Sequence, residues 1–505
     1  MHSTRVRVRD LTEERLDANY YDPLYLANSV SLAACGFPLS SIGSIAQRCN
    51  CGATPKLVEY ASHGTGLIRT ADVRPNQFGT DSVLRISGFK LKPGASVEAR
   101  PGDMVYTMSG TIGYAAVIPF DAENYSFSNT IARVRLPANS PNDVHYLSTF
   151  FNSHRGYLQS LRLVSGGIQG HVMPNPFKKL RVPSPLPKAQ KYIGEKVRQA
   201  ERLWERSRLC ELDIHSALNS IVPPYSTTPQ KWSRVSAQIL GERFDNQPYR
   251  THFLSLLNSV RSIRHEPLSR LATVTGGDPV PSELFGNSGV PLVRIRDISN
   301  AGFSNPEVRL PESYALKRVE ALATEGMIVV GMDGEFRAQF FLREELPQLV
   351  NQRVAIVKAH GIRPELLAIW LSRTEGQYQL NRWTTQTTVG HIGLDDIRLV
   401  LVPRLEEAIE NALADKALIA RRCVWYAHTL ITAAKLLVEA LIEGKVTETE
   451  LVNAHDALEL SDITADRPLL RRLTHQGLDV PGQPPLFPEL DALYALLAQT
   501  REEIQ

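Results

Sequence analysis

Cysteine is scarce in this chain: five residues in 505. So few thiols in so long a chain exclude the disulfide framework of small secreted proteins. Cys49 and Cys51 form a CxC, but no second pair stands at ligand spacing, so they read as ordinary loop thiols and not as a zinc site. No run of eighteen apolar residues occurs, which argues against a membrane-spanning helix and a membrane partner. Met1 to Asp10 is charged and lacks the apolar core of a secretory signal, so a cytoplasmic location is expected. An excess of one charge is missing too: 56 Lys+Arg stand against 53 Asp+Glu. Non-specific nucleic-acid binders are usually more lopsided, so charge alone does not decide the function. Catalytic signatures are absent as well. There is no Gly-rich cofactor loop after a strand, no Walker loop and no HExxH. Asn175-Pro176-Phe177 lacks the second proline of an N-P-P-aromatic methyltransferase motif. Asp103 or Asp333 beside a basic residue would suit a nuclease site, but a strand and tight turn explain both runs better.

What is present is an ordinary globular composition, 43% hydrophobic and 22% charged, enough for two or three domains with a core in each half. Two long helical stretches organise it. From Pro187 to Val222 an apolar seam runs through Ile193, Val197, Ala200, Trp204, Ser207, Glu211, Ile214, Leu218 and Ile221, in alternating steps of four and three. Pro223-Pro224 stops it. The same alternation returns at Leu413, Ala417, Ala420, Val424, Ala427, Ile431, Ala434, Val438 and Leu441, with Gly444 as the C-cap. Each rod spans roughly 50–60 Å at 1.5 Å per residue. The spacing predicts that they pair antiparallel as a coiled coil and hold two similar globular domains apart.

Those domains are an internal duplication. Glu14-Arg15-Leu16-Asp17 is echoed by Glu242-Arg243-Phe244-Asp245. Gly66 to Arg69 matches Val290 to Arg294, and both read as strands. Pro101 to Gly113 faces Glu325 to Glu335, a β-rich run entering a glycine turn in each. Ser128 to Ala132 faces Asn351 to Ala355, and Gly170-His171-Val172 faces Gly390-His391-Ile392. The fold class that follows is α/β or α+β for each unit, with a helical C-terminal extension beyond Gly444.

The ordered series, present twice, resembles the specificity (S) subunit of type I restriction-modification enzymes. The residues that carry the resemblance are the ERLD/ERFD openings, GDMVYTMSGTIG, SNTIARV and GGIQGHVMPNPFKKLRVPSPLPKAQKYI, with weaker second copies; they cover residues 13–443. The resemblance implies target-recognition domains at 1–186 and 224–402, spacer helices at 187–223 and 403–443, and an extension of unknown role at 444–505. It also implies a non-catalytic chain that reads a bipartite double-stranded DNA site. It would direct adenine-N6 methyltransferase subunits, two of them, with S-adenosylmethionine on that partner and not on this chain; restriction motor-nuclease subunits are further expected partners. Another methylation-linked phage-defence assembly, a self-sufficient methyltransferase and a protein-docking adaptor are the alternatives. The glycine turn of the second copy and the long tail depart from the family pattern.

Base reading needs donors and acceptors at a groove, with lysine and arginine on phosphates. In the first copy the candidates are Arg69, Thr107, Ser109, Thr111, Arg162, Gln169, His171, Lys178 and Lys179. In the second they are Arg294, Arg296, Arg337, Gln386, Thr387 and His391. A residue that reads sequence should differ between copies, which favours Arg162, Gln169, Arg337 and Gln386; matched His171 and His391 read as structural. A rod of 50–60 Å matches about 15–18 base pairs at 3.4 Å each, so half-site centres about one to one and a half helical turns apart are expected. Lys191, Glu195, Arg198, Arg202, Arg206 and Arg208 form a candidate partner surface on the first rod.

Overall fold

Both long helices form where the seams place them, as Pro187–Ile221 (35 residues) and Glu407–Ile442 (36 residues). Pro187 opens the first, where a missing N–H costs nothing. The second ends in a paired cap: Gly444 sits at φ +70°, its N–H donates to the Leu441 carbonyl at 3.2 Å, and the Lys445 N–H reaches the Ala440 carbonyl at 2.8 Å. Every residue of the second seam is buried. On the first seam Glu211 is exposed, and Trp204 and Ile221 are only half-buried.

The structure, a computed structural model, describes residues 11, 15–54, 59–166, 170–232, 234–237, 240–241, 243–385 and 389–504. The chain divides into two units, Met1–Arg202 with Tyr426–Glu502 and Leu203–Trp425 with Glu503–Gln505, so each takes half of both long helices. Within the second unit the halves pack together. Ile214 and Leu218 share an apolar cluster with Leu413, Ala414 and Ala417. Asp213 pairs with Lys416, and Arg206 and Cys210 lie beside Cys423, so numbers rise on one helix as they fall on the other. The pairing there is antiparallel, and the alanines let the backbones approach.

Each unit is a mixed α/β fold, mostly antiparallel, and the two share one plan. In the first, an antiparallel sheet runs in the order Ala115–Val117, Met104–Thr107, Ile131–Arg135, Arg48–Cys51; in the second it is Ala338–Phe340, Ile328–Gly331, Val354–Ala359, Ala272–Gly276. A second sheet contains a parallel pairing in each unit, Thr65–Ile68 with Tyr125–Phe127 and Val290–Val293 with Leu349–Val350. That sheet has five strands in the first unit and three in the second. An 11-residue helix precedes each sheet set, Pro23–Ala33 and Thr251–Arg261. Two 9-residue helices follow it: Val144–Asn152 and His154–Arg162, then Pro364–Ser372 and Thr374–Arg382. The expected strands at Gly66–Arg69 and Val290–Arg294 are therefore in place, one residue shorter at the arginine.

The CxC is a correction. Cys49 and Cys51 belong to an edge strand, Arg48–Cys51, and not to a loop. Burial pushes the Cys49 thiol up to about 11, the wrong direction for a metal-binding thiolate. Among the described residues, no three His, Cys, Asp or Glu side chains are grouped to hold a metal ion, and no helix is long and apolar enough to cross a membrane.

The extension folds as helices Glu448–Glu459, Asp466–Arg471 and Leu490–Ile504 with a short hairpin between the last two. It is anchored within the first unit by Asp466, which is fully buried. That carboxylate accepts from Lys196 Nζ at 2.5 Å, Tyr192 Oη at 2.6 Å and Tyr494 Oη at 2.7 Å.

Candidate nucleic-acid interface

Three segments meet at the end of the antiparallel sheet in each unit. In the first, strand Met104–Thr107 runs into a turn through Gly110, at φ +73°. In the second, Ile328–Gly331 runs into a turn through Gly334, at φ +71°. The left-handed region favours glycine, which is why both turns carry it. The Met108 N–H donates to the Thr130 carbonyl at 2.8 Å, and the Val172 N–H to the Met108 carbonyl at 2.8 Å. Met332, Arg353 and Ile392 make the same two bonds at 3.2 and 3.0 Å. His171 bridges Ser165 and Ser109; His391 bridges Thr385 and Asp333. The frame is one backbone arrangement built twice.

The paired opening motifs hold the loops of this frame. Arg15 donates to the carbonyls of Leu163 (3.1 Å) and Val164 (2.9 Å), just before the Ser165 loop, and Asp17 holds it at 2.6 Å. Arg243 does the same for Trp383 (2.6 Å) and Thr384 (3.2 Å), held by Asp245 at 2.7 Å. Tyr21 and Tyr249 each donate to the carbonyl of that arginine, at 2.7 Å in both. These positioning residues were absent from the candidates read off the sequence, although the ERLD/ERFD match was the signal for them.

Several candidates belong to the scaffold instead. Thr107 is 0% exposed, and its hydroxyl bonds within the turn to Thr111 and Tyr114; its assignment as a base reader is corrected. Arg162 is corrected in its reasoning, since it is not peculiar to one copy. It donates to the Tyr20 carbonyl at 3.1 Å and stacks on that ring, while Arg382 donates to the matched Pro248 carbonyl at 2.7 Å. Arg69 is bound to Asp72 at 3.1 Å and to the Ser82 carbonyl at 3.0 Å, so it is not a solvated strand-edge charge. Its counterpart Arg294 faces Asp297 at 3.5 Å, while Arg296 is exposed and pairs with Glu307 at 2.7 Å. Asp103 is buried against Arg135 at 2.6 Å, a structural pair with no open site.

The frame brings Ser109, Thr111, His171, Arg337 and His391 to its rim. Ser109, Thr111 and His171 lie at its surface in the first unit. There Thr70 donates to Thr130 at 3.1 Å, and the Thr130 hydroxyl bonds Ser128 at 2.7 Å, a neutral chain of hydroxyls. Lys178 and Lys179 are exposed at the end of the short helix Pro174–Lys178. In the second unit the rim is charged. His391 Nδ1 donates to Asp333 at 2.6 Å, Arg353 approaches Asp333 at 3.7 Å, and Arg337 pairs with Glu335 and donates to the Ile298 carbonyl at 3.2 Å. His391 therefore does more than its backbone role. Gln169, Gln386 and Thr387 lie outside the described residues. On the first long helix, Arg206 is buried against Glu503, Arg198 bonds Asp143 and Arg202 bonds Glu195, while Lys191 is exposed and so is Arg208, paired with Glu205 at 2.6 Å.

No family model and no curated protein matches the chain. Among solved structures it is similar to the S subunit of a type I restriction-modification system from M. genitalium, at 10% identity and a TM-score of 0.43, over 81% of this chain and 95% of that one. It is also similar to the HsdS subunit from Thermoanaerobacter tengcongensis, at 15% identity and a TM-score of 0.25, over 81% and 97%. A structure from a study of type I complex assembly matches at 14% identity and a TM-score of 0.29, over 81% and 98%. Two of these structural neighbours are named as S or HsdS subunits and the third comes from a type I restriction-modification system, and each match extends over 81% of this chain.

Proposed function

We propose that this chain is a DNA-specificity subunit that reads a bipartite duplex site and directs an adenine-N6 methyltransferase to it. One observation carries the reading: the same frame is built twice from the same backbone bonds, while its rim side chains differ between copies. A protein that reads two unlike half-sites needs that combination, since backbone geometry docks a unit and side chains at base edges discriminate. The ordered sequence blocks point the same way. Catalysis and S-adenosylmethionine reside on the partner, two methyltransferase subunits joined in a restriction complex by motor-nuclease subunits. The long helices serve as the ruler between half-sites and as the partner platform.

Co-expression with the methyltransferase encoded beside it, followed by genome-wide mapping of methylated adenines, tests this. The expected result is a split motif with a fixed gap. Methylation without sequence preference, or methylation by this chain alone, would overturn the proposal. Inserting one helical turn in either long helix should change the preferred gap.

A further inference from the structure

The rim of the second unit holds an arginine and an aspartate beside its histidine, where the first holds two hydroxyls beside the matched histidine. Arg353 stands at the position of Thr130, Asp333 at that of Ser109, and His391 at that of His171, all on the shared backbone frame. Arg353 is 62% exposed on its side chain, and among the described residues its guanidinium makes no hydrogen bond; Asp333, at 3.7 Å, is near enough to orient it but leaves its donors open. Asp333 also fixes His391 through Nδ1, so the opposite nitrogen, Nε2, is left to a ligand. The first unit offers hydroxyls at the places of Arg353 and Asp333, drawn together by Thr70, whose counterpart is the apolar Ile295.

We infer that Arg353 is a guanine-reading side chain of the second unit and that Asp333 is its positioning residue. The inference rests on the DNA-specificity reading above. Guanine presents two acceptors, O6 and N7, on its major-groove edge, and a guanidinium fork matches both at once. A carboxylate beside the fork fixes its direction without closing its outer donors. The first unit, with Ser109 and Thr130 in place of Asp333 and Arg353, has no such preference at its matched position.

The test is the methylation map of the reconstituted complex carrying Arg353→Thr, Arg353→Gln or Asp333→Ser. Wild type is expected to require a G·C pair at one position of the half-site read by the second unit. Arg353→Thr and Arg353→Gln each relax that requirement about tenfold or more, with the other half-site and the gap unchanged. Asp333→Ser weakens the same position by less. Thermal midpoints equal to wild type establish that the variants fold. An unchanged motif in both Arg353 variants would overturn the inference. So would a uniform fall in methylation across all sites, the signature of a phosphate contact. A wild-type complex with no sequence preference would instead sink the DNA-specificity reading itself.

Discussion

In the first unit the strand Ile131–Arg135 carries Arg133 into the interior; in the second, the matched strand Val354–Ala359 carries Ile356 there. Arg133 is 0% exposed and donates to the Glu98 carbonyl and to Asn50, with Arg135 and Asp103 paired alongside. At the places of Glu98, Asp103 and Arg133 the second unit has Leu322, Met327 and Ile356 in one apolar cluster. One fold thus accepts a charged seam or an apolar one between its sheets. Burial costs the charged seam so much that it pushes the Arg133 guanidinium down to about 10. What the fold requires is the backbone register, and its interior chemistry is free to vary.

That contrast is broken most directly by Arg133→Ala, which strands Asn50 Oδ1 and leaves the Glu98 carbonyl with the longer bond from Arg135, at 3.5 Å. The expected loss is about 3–5 kcal/mol, from the void left by so large a buried side chain and from the acceptors it no longer satisfies. Ile356→Val, at the matched place, should cost about 0.5–1.5 kcal/mol. Urea denaturation of both variants compares them, and equal costs would mean that the charged seam is solvated.

The next comparison is the extension, which only the first unit carries. Burial alone would raise the Asp466 pKa, but Lys196 and the Tyr192 and Tyr494 hydroxyls outweigh it and hold the carboxyl below its usual range. Asp466→Asn leaves the Lys196 charge buried and unpaired and should cost about 3 kcal/mol at neutral pH. A depressed carboxylate stabilises above its unfolded pKa, and that stability is lost as pH falls through the folded value. Wild type should therefore lose thermal stability in acid below the ordinary aspartate range. The variant should show a flatter acid limb, and parallel limbs would place the anchor elsewhere.

Arg15 and Arg243 sharpen the comparison from the other side, because here the copies agree. Each clamps two loop carbonyls and is held by an aspartate and a tyrosine. Alanine at either should cost about 1.5–3 kcal/mol, the range for hydrogen bonds to charged groups. Similar losses in differential scanning are expected, and a marked inequality would show that only one clamp bears on its loop.

These arginines also mark where the sequence was readable. Periodicity exposed both long helices, because one buried stripe at helical spacing leaves a pattern that no other structure makes. The duplication exposed the paired strands and glycine turns. Thr107 was misread because a hydroxyl beside a glycine turn looks the same in sequence whether it faces outward or closes the turn. Arg162 was misread because the helices that carry it and Arg382 share no recognisable block, and the bond of Arg382 to Pro248 shows only in the folded chain. Arg353 went unnoticed because its neighbours at the rim, Asp333 and His391, are 20 and 38 residues away in sequence.

The smallest expected effect lies on the short helices beside the frame. Pro174–Lys178 ends in exposed Lys178 and Lys179, while Leu394–Arg398 carries Asp395 and Asp396 in its first turn. Phe177 and Ile397 bury the same face in both, so the helices dock alike and differ in charge outside. If both units sit on DNA, the two lysines release counterions on the first side, while on the second Arg398, at the place of Lys178, is paired with Asp395. Replacing both lysines by alanine should weaken binding evenly across sequences and lower the slope of log affinity against log salt by up to about 1.8, at ~0.9 per phosphate. Asp395 is exposed and bonds only Arg398 among the described residues. Asp395→Ala removes a repulsion and should tighten binding slightly at low salt. A fluorescence-anisotropy titration at several salt concentrations reads both. Equal slopes for wild type and the double lysine variant would mean that the first unit meets DNA through another face.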